Sequence, residues 1–428
     1  MRKFTRALIL TFVVLLGVGN HNTFAESSQK NDIDNDKSNQ VTKNLKFRDE
    51  FGLEKDLNKL QLDKIVEKYG VQLTLEEERE LNERFAFQEK SIPYIKDVLS
   101  RKYNEDYTLF IDQKNGGTIN IGVKSDSLDM NEVKSFFSDK NSDKVKINTI
   151  KYSEKDLNKI HDSVLHSRDL LKSKGIIIKD VRTDVINQKV IVGVSNHKKE
   201  NQQEIQKEFG EVVVSQEAEI ANDTNRAWTW NPIQGGVKIR YGDYKCSVGF
   251  MATDGLVNYV VTAGHCNSSI NDDYYQGATY LGKMQHKNNS NNSDIGAISQ
   301  SSSLTYTGGK IYSSDNYSDK YDRAQNASQD VVGELVCMSG ASTDTNPVQC
   351  GYLESNNAAI DFSGSVYTKL RVATYRSVGG DSGGTVYGGT TLKGVNKGHL
   401  GTKGVYSHIE YGLRDLSKVS GRTFNLIF

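Results

Sequence analysis

The sequence predicts an all-β C-terminal domain preceded by an α/β region, and three observations lead there. The first is a break in composition. The first half of the 428-residue chain is dense in Lys, Glu and Asp, poor in Gly and free of Cys. From about Trp228 charge thins out, Gly, Ser, Tyr and Thr rise, and all four cysteines appear. The second is a run of short apolar segments between Gly, Asn, Asp and Ser clusters in the later half. Ser247 to Met251, Tyr259 to Thr262, Ile295 to Ile298, Val331 to Val336 and Val366 to Val372 are examples, spaced as in an antiparallel barrel or sandwich. The third is helical periodicity alternating with hairpin patterns in the earlier half.

Length suggests roughly three domains. Lys plus Arg and Asp plus Glu balance at 54 each, so net charge gives no argument for a nucleic acid or a membrane as partner. The N-terminus points to export. Arg2, Lys3 and Arg6 form a basic start, Ala7 to Val18 an apolar run, and Thr23-Phe24-Ala25 a small-residue cleavage point, so residues 1–25 read as a secretory signal peptide. The apolar run falls short of the roughly 20 residues that span a bilayer. A secreted, extracellular protein without stable membrane insertion is therefore expected, and export permits disulfides.

Residues 26–70 read as a polar leader and a first helical segment, with Glu26 to about Lys46 too polar to bury a core. Residues 71–222 form the α/β region. Thr74-Leu75-Glu76-Glu77 is a capping-box pattern opening a charged helix through Phe85 and Phe87, and Ile95, Val98 and Leu99 keep helical spacing before Tyr103. A hairpin follows: Tyr107, Leu109 and Ile111 alternate with polar residues, Asn115-Gly116-Gly117 turns, and Ile119, Ile121 and Val123 return. The helix-plus-hairpin order then recurs, with Leu157, Ile160, Val164 and Leu165 before strands over Ile178 to Thr183 and Lys189 to Val194. This suggests two subdomains, 71–150 and 151–222. A third helix near Gln202 to Phe209 leads to Val212-Val213-Val214. Ala221 to Asn231 reads as a linker, and residues 223–428 as the β domain. Near its end Ser407-His408-Ile409-Glu410 is a second capping-box pattern, with Ile409, Leu413 and Leu416 on one helix face.

Gly380-Asp381-Ser382-Gly383-Gly384 carries the chemistry. Glycines on both sides of Ser382 let the chain turn sharply, aim the N–H groups of Gly380 and Ser382 at one point, and admit a substrate carbonyl. A serine nucleophile needs a base. His265, delivered by the strand Tyr259 to Thr262 beside Cys266, is the best placed; His286, His399 and His408 sit in contexts without comparable constraint. Asp294, between a polar loop and the apolar Ile295-Gly296-Ala297-Ile298, is an aspartate that burial would penalise without a partner, whereas Asp272 and Asp273 look like surface charge.

The order His265, Asp294, Ser382 is that of the chymotrypsin-type triad. Thr262-Ala263-Gly264-His265-Cys266 and Gly380 to Gly384 resemble the two signatures of chymotrypsin-fold serine proteases. Cys246-Ser247-Val248-Gly249-Phe250, Cys337, and Cys350-Gly351 resemble the bacterial streptogrisin and α-lytic protease branch, and Ile233-Gln234-Gly235-Gly236 extends the resemblance over most of residues 231–428. The resemblance implies Ser382 as nucleophile, His265 as general base and then acid, Asp294 as orienting carboxylate, and the N–H groups of Gly380 and Ser382 as oxyanion hole. It further implies two antiparallel six-stranded β-barrels, disulfides Cys246–Cys266 and Cys337–Cys350, polypeptide substrates, no cofactor or metal, and a monomeric mature enzyme. Residues 71–222 would be a pro-region that assists folding and then inhibits, although residues 26–222 as a binding or wall-association domain is an alternative reading.

The chain also departs from the family. The bond before the Ile-x-Gly-Gly motif is Pro232–Ile233, an awkward cleavage site, so maturation is expected between Ala221 and Asn231. Where bacterial relatives place an arginine to pair with the aspartate before the serine, this chain has Met338, which leaves Arg376 as a candidate partner for Asp381. Arg376, Ser377, Asn396 and Lys397 are candidates for the specificity pocket. Lys397 falls near a position where relatives have a serine, and a cation in the pocket would favour an acidic side chain before the scissile bond. A secreted, inactive protease-like binding protein is the competing reading. A lipase or esterase, which Gly-x-Ser-x-Gly also fits, would need its histidine downstream.

Overall fold

A computed structural model describes residues 41–56, 65–124, 144–195, 197–218, 221–222, 232–267, 269–290, 292–301, 305–314, 317–342 and 348–428. The signal-peptide reading and most of the leader and linker readings fall outside these residues. Within them two expectations are corrected. Leu45 and Lys46, read as the end of the leader, are already helical; the helix runs on through Phe47 and Phe51, which bury themselves in the large core with their rings stacked 4.4 Å apart. Ala221–Asn222, assigned to the linker, is a short strand on Thr391–Leu400, pairing Asn222 with His399 and Ala221 with Leu400.

Local signals act where the sequence placed them. The Thr74 side chain accepts from the Glu77 N–H (3.2 Å) while the Glu77 carboxylate accepts from the Thr74 N–H (2.9 Å), closing the capping box of a single helix, Leu75–Tyr103. Tyr107–Asp112 and Thr118–Val123 form the hairpin, turning through Gly116 and Gly117 at positive φ. A third strand, Val145–Thr149, joins the hairpin in parallel. The next unit has the same order. Helices Glu154–His166 and Arg168–Ser173 precede the hairpin Ile178–Asp184/Lys189–Val194, and helix Lys199–Phe209 crosses to the parallel strand Val213–Glu217.

The C-terminal half is built mostly from antiparallel ladders; Ile233–Gly235 and Arg323–Ala324 instead pair in parallel. One eight-stranded sheet holds Thr279–Ser290, Ser293–Ser299, Asn258–Thr262 and Phe250–Thr253 as consecutive neighbours. In the other sheet, Leu335–Ser339, Thr385–Gly388, Thr391–Leu400, Lys403–His408, Ser365–Ala373 and Val348–Phe362 follow one another. The circuit returns on itself because Leu335–Ser339 also pairs with Val348–Phe362. Both disulfides, Cys246–Cys266 and Cys337–Cys350, are present. Among the described residues no helix is long and apolar enough to cross a membrane.

The halves meet through main chain and core alike. Ala358, Ala359 and Ile360 pair with Arg182, Val181 and Asp180, so the second hairpin extends the C-terminal sheet. Val331 enters the core formed by the first hairpin and its helix, and Val332 enters the core of the second unit. Between them the Ile111 N–H donates to the Val332 carbonyl at 2.8 Å. Gly333 stands at φ 91°, and a Cβ there would collide with the Ile111 carbonyl, so this approach needs a glycine.

Candidate active site

Each functional side chain is held by a different piece of the C-terminal half. Strand Asn258–Thr262 runs into a single 3-10 turn, Gly264–Cys266, which presents His265 and is tied at Cys266 to Cys246. Strand Ser293–Ser299 carries Asp294, fully buried. Ser382 sits in the turn after Gly380, which stands at φ 105°. Gly383, at φ 86°, has Thr262 Oγ1 and the Ser247 carbonyl where a Cβ would go, so the turn packs directly onto the strand leading to His265.

These elements bring the three side chains together. His265 Nε2 lies 2.9 Å from Ser382 Oγ, and His265 Nδ1 is in short contact with Asp294 Oδ2. The backbone N–H of His265 donates to Asp294 Oδ1 at 2.8 Å, and the backbone N–H of Asp294 donates to Ser407 Oγ at 2.8 Å. Burial by itself raises the Asp294 carboxyl; the charges and hydrogen bonds of His265 and Lys397 outweigh it and hold the group well below the usual carboxylate range. Asp294 is thus a charged acceptor that fixes the ring. With Nδ1 turned to the carboxylate, Nε2 is free of that bond and can take a proton from Ser382, which is the arrangement a serine nucleophile requires.

Comparison with known proteins gives the same direction. Glutamyl endopeptidase 2 of Streptomyces griseus is 32% identical over 176 residues, covering 40% of this chain and 88% of that protein. This chain belongs to the chymotrypsin-fold serine proteases, in the streptogrisin-like bacterial branch. Serine protease 1 of Streptomyces fradiae is 32% identical over 174 residues and streptogrisin-A of Streptomyces griseus 30% over 171, and these matches span only 46% and 52% of those proteins. Thermobifida fusca protease A, a solved structure, is 25% identical over 46% of this chain and 99% of its own, with a TM-score of 0.39. No family model matches the chain.

The protease half places the remaining candidates differently from one another. Ser377 and Asn396 are buried, with Asn396 Nδ2 donating to Ser377 Oγ at 2.9 Å and Asn396 Oδ1 accepting from Tyr375 Oη at 2.8 Å. The Arg376 side chain is exposed. The Asp381 carboxylate accepts backbone N–H bonds from Ser342 (2.9 Å) and Val378 (3.0 Å). Lys397 turns its ammonium onto Asp294 Oδ2 at 3.0 Å and lies 3.2 Å from His265 Nδ1.

Two residues have parts that the sequence reading did not give them. Ser247 Oγ donates to the Gly380 carbonyl (2.7 Å) and accepts from the Ala341 N–H (2.9 Å), steadying the serine turn; its only signal was its place after Cys246. Ser407 does not cap the last helix. His408 takes that position, its ring accepting from the Glu410 N–H at 3.2 Å, and Ser407 serves Asp294 instead.

Proposed function

We propose that the protein is a secreted serine endopeptidase made as a preproprotein, hydrolysing polypeptides through Ser382, His265 and Asp294 by way of an acyl-enzyme. The observation that carries this reading is the 2.9 Å contact between His265 Nε2 and Ser382 Oγ, with the other ring nitrogen on a buried carboxylate. His265 removes the Ser382 proton as the hydroxyl attacks the scissile carbonyl, then returns it to the leaving amine. The N–H groups of Gly380 and Ser382 form the oxyanion hole, and the site lies between two six-stranded β-barrels. The closed circuit of pairings from Leu335–Ser339 back to Val348–Phe362 supports the second barrel. Residues 71–222 act as a pro-region that assists folding and inhibits the enzyme. A fold rich in non-local pairings folds slowly, and the strand pairing of 180–182 with 358–360 gives it a template.

The substrate reading is narrower. Ser377 and Asn396 form the pocket floor, and a glutamate preference is drawn from the relative named glutamyl endopeptidase 2. A peptide panel varying only the residue before the scissile bond tests it; faster cleavage after Phe or Leu than after Glu removes it. The activity itself is tested by intact mass, N-terminal sequencing and a serine-reactive phosphonate on wild type and Ser382→Ala. Wild type should be cut between Ala221 and Asn231 and labelled once, and the variant should lose activity by on the order of 10⁶-fold. If wild type neither processes nor labels, the inactive binding-protein reading replaces this one.

A further inference from the structure

Helix Leu75–Tyr103 and the protease half together line a cleft of about 630 Å³, and none of His265, Asp294 and Ser382 contributes to it. Clefts of about 300–1,000 Å³ suit small organic ligands. Phe85, Ile92 and Pro93 of the helix and Ala324, Val331 and Leu335 of the protease half supply its apolar lining. Its charged lining is unbalanced. Lys90, Lys96, Arg323 and Lys393 stand against Glu89 and Glu334. Glu89 is paired with Arg323, and Glu334 with Lys393 at 3.0 Å, so Lys90 and Lys96 are the cations in excess. Lys96 Nζ donates to the Ser328 and Asp330 carbonyls at 2.8 and 2.7 Å, and the buried Lys393 Nζ donates to Gln325 Oε1 at 2.8 Å beside its Glu334 partner. An ammonium has three donors, so each lysine keeps one beyond those two bonds. Burial pushes the Lys96 ammonium down from its usual value; Glu154, Asp330 and Glu334 oppose that and Lys393 adds to it. A cation held by carbonyls in such a place is completed by an anion.

We propose that this cleft is a binding site for a carboxylate with an apolar body, the head group taken by Lys96 and Lys393 and the body by Phe85, Ile92 and Leu335. The site goes beyond the endopeptidase reading and does not use the triad. The excess cations select the head group, because a neutral ligand leaves them unmatched and a cationic one adds to them. The apolar lining selects the body, because it is the part of the cleft that gains by leaving water. Two sources offer this chemistry: a fatty acid, and the C-terminal carboxylate of an apolar peptide, which every peptide-bond hydrolysis creates. Helix and protease half both touch the ligand, so its binding adds to the free energy that holds the two halves together.

The test is calorimetric titration of the intact chain carrying Ser382→Ala, which keeps the halves joined, with octanoate, octanol and acetylated leucyl-leucine. At least one of the two acids should bind one to one, and octanol should bind about tenfold more weakly or worse, since it lacks the charge the lysines meet. Lys96→Met should weaken the acids by about tenfold or more and leave octanol unchanged. Ala86→Trp, at an exposed helix position lining the cleft, should fill the space and abolish binding of all three. Binding of octanoate alone supports the site with a lipid-derived acid as its ligand, and binding of the dipeptide alone supports it with a peptide product. Absence of binding by both acids overturns the proposal, as does octanol binding as tightly as octanoate, or acid binding that survives Ala86→Trp or Lys96→Met unchanged. If the variants do not fold, the comparison of octanoate, dipeptide and octanol on the parent chain decides. No turnover is read, so failure of the endopeptidase reading leaves these outcomes untouched.

Discussion

In the N-terminal half, ion pairs such as Arg101–Asp97 and Lys174–Glu204 leave both side chains a third or more exposed. In the C-terminal half, Lys397–Asp294 and Arg371–Asp330 are all but sealed from water. Several N-terminal pairs depart from this pattern, two of them at joins between elements. Arg48–Glu77 clamps the first helix to the second, and Arg182–Asp180 lies on the strand that joins the C-terminal sheet. Exposed pairs contribute little, because water already solvates both partners. Buried ones depend on each other, and losing either partner strands a charge. Buried, partnered charge therefore weighs on the protease half around Asp294 and Asp330, and on the N-terminal half at its joins, Arg48–Glu77 and Arg182–Asp180.

Four experiments sharpen or break this contrast. Asp330→Asn, which strands Arg371, should cost about 3–5 kcal/mol in chemical denaturation, against less than about 1 kcal/mol for Asp97→Asn. Equal costs would dissolve the contrast. Asp330 also fixes a pH dependence. Burial raises its carboxyl, but Arg371, His408 and Lys393 hold it well below the ordinary range. Its contribution is complete above the unfolded value of about 3.9 and disappears as pH falls below that. Replacing Cys337 and Cys350 together by serine should cost about 3 kcal/mol, since the bridge closes a loop of 13 residues, and reductant, which opens Cys246–Cys266 as well, should cost more.

The third experiment concerns the helix over 45–51. Burial pushes Glu50 up to about 7, with Lys46 and a hydrogen bond from Thr374 acting the other way and Glu354 adding to the rise. A carboxyl raised by docking binds more protons docked than free. Docking of this helix is thus strongest below about 4.5 and weakens as pH passes 7, by on the order of tenfold between pH 6 and 8. Amide exchange of residues 45–51 measures it, and Glu50→Gln should flatten the profile. The smallest effect is Thr74→Ala, about 1 kcal/mol through the lost cap, read as a lower melting temperature.

What could be read from sequence was local. The Thr74–Glu77 box and the Asn115-Gly116-Gly117 turn depend on residues within a few positions of each other, and both formed. Ser407 misled because a capping pattern is only a local offer. Asp294, brought in by another strand, had a buried N–H to satisfy and took the hydroxyl. Lys397 was legible as an oddity but not as a neighbour of His265, 132 residues away in the chain. The leader reading ran too far at Leu45 and Lys46, because the helix they belong to is anchored by Phe47 and Phe51, whose apolar partners lie on other elements.

One join remains to be followed outward. Ala358, Ala359 and Ile360 are sealed by the hairpin strand bearing Arg182, Val181 and Asp180. If the N-terminal half departs, those three residues become a sheet rim with open amides and carbonyls, small and apolar, lacking the lysine or proline that natural edges use to repel other chains. The liberated C-terminal half then faces a colloidal problem rather than a folding one. Its light scattering should grow with concentration, and a charge placed at Ala359 should quiet it while leaving the melting temperature nearly unchanged.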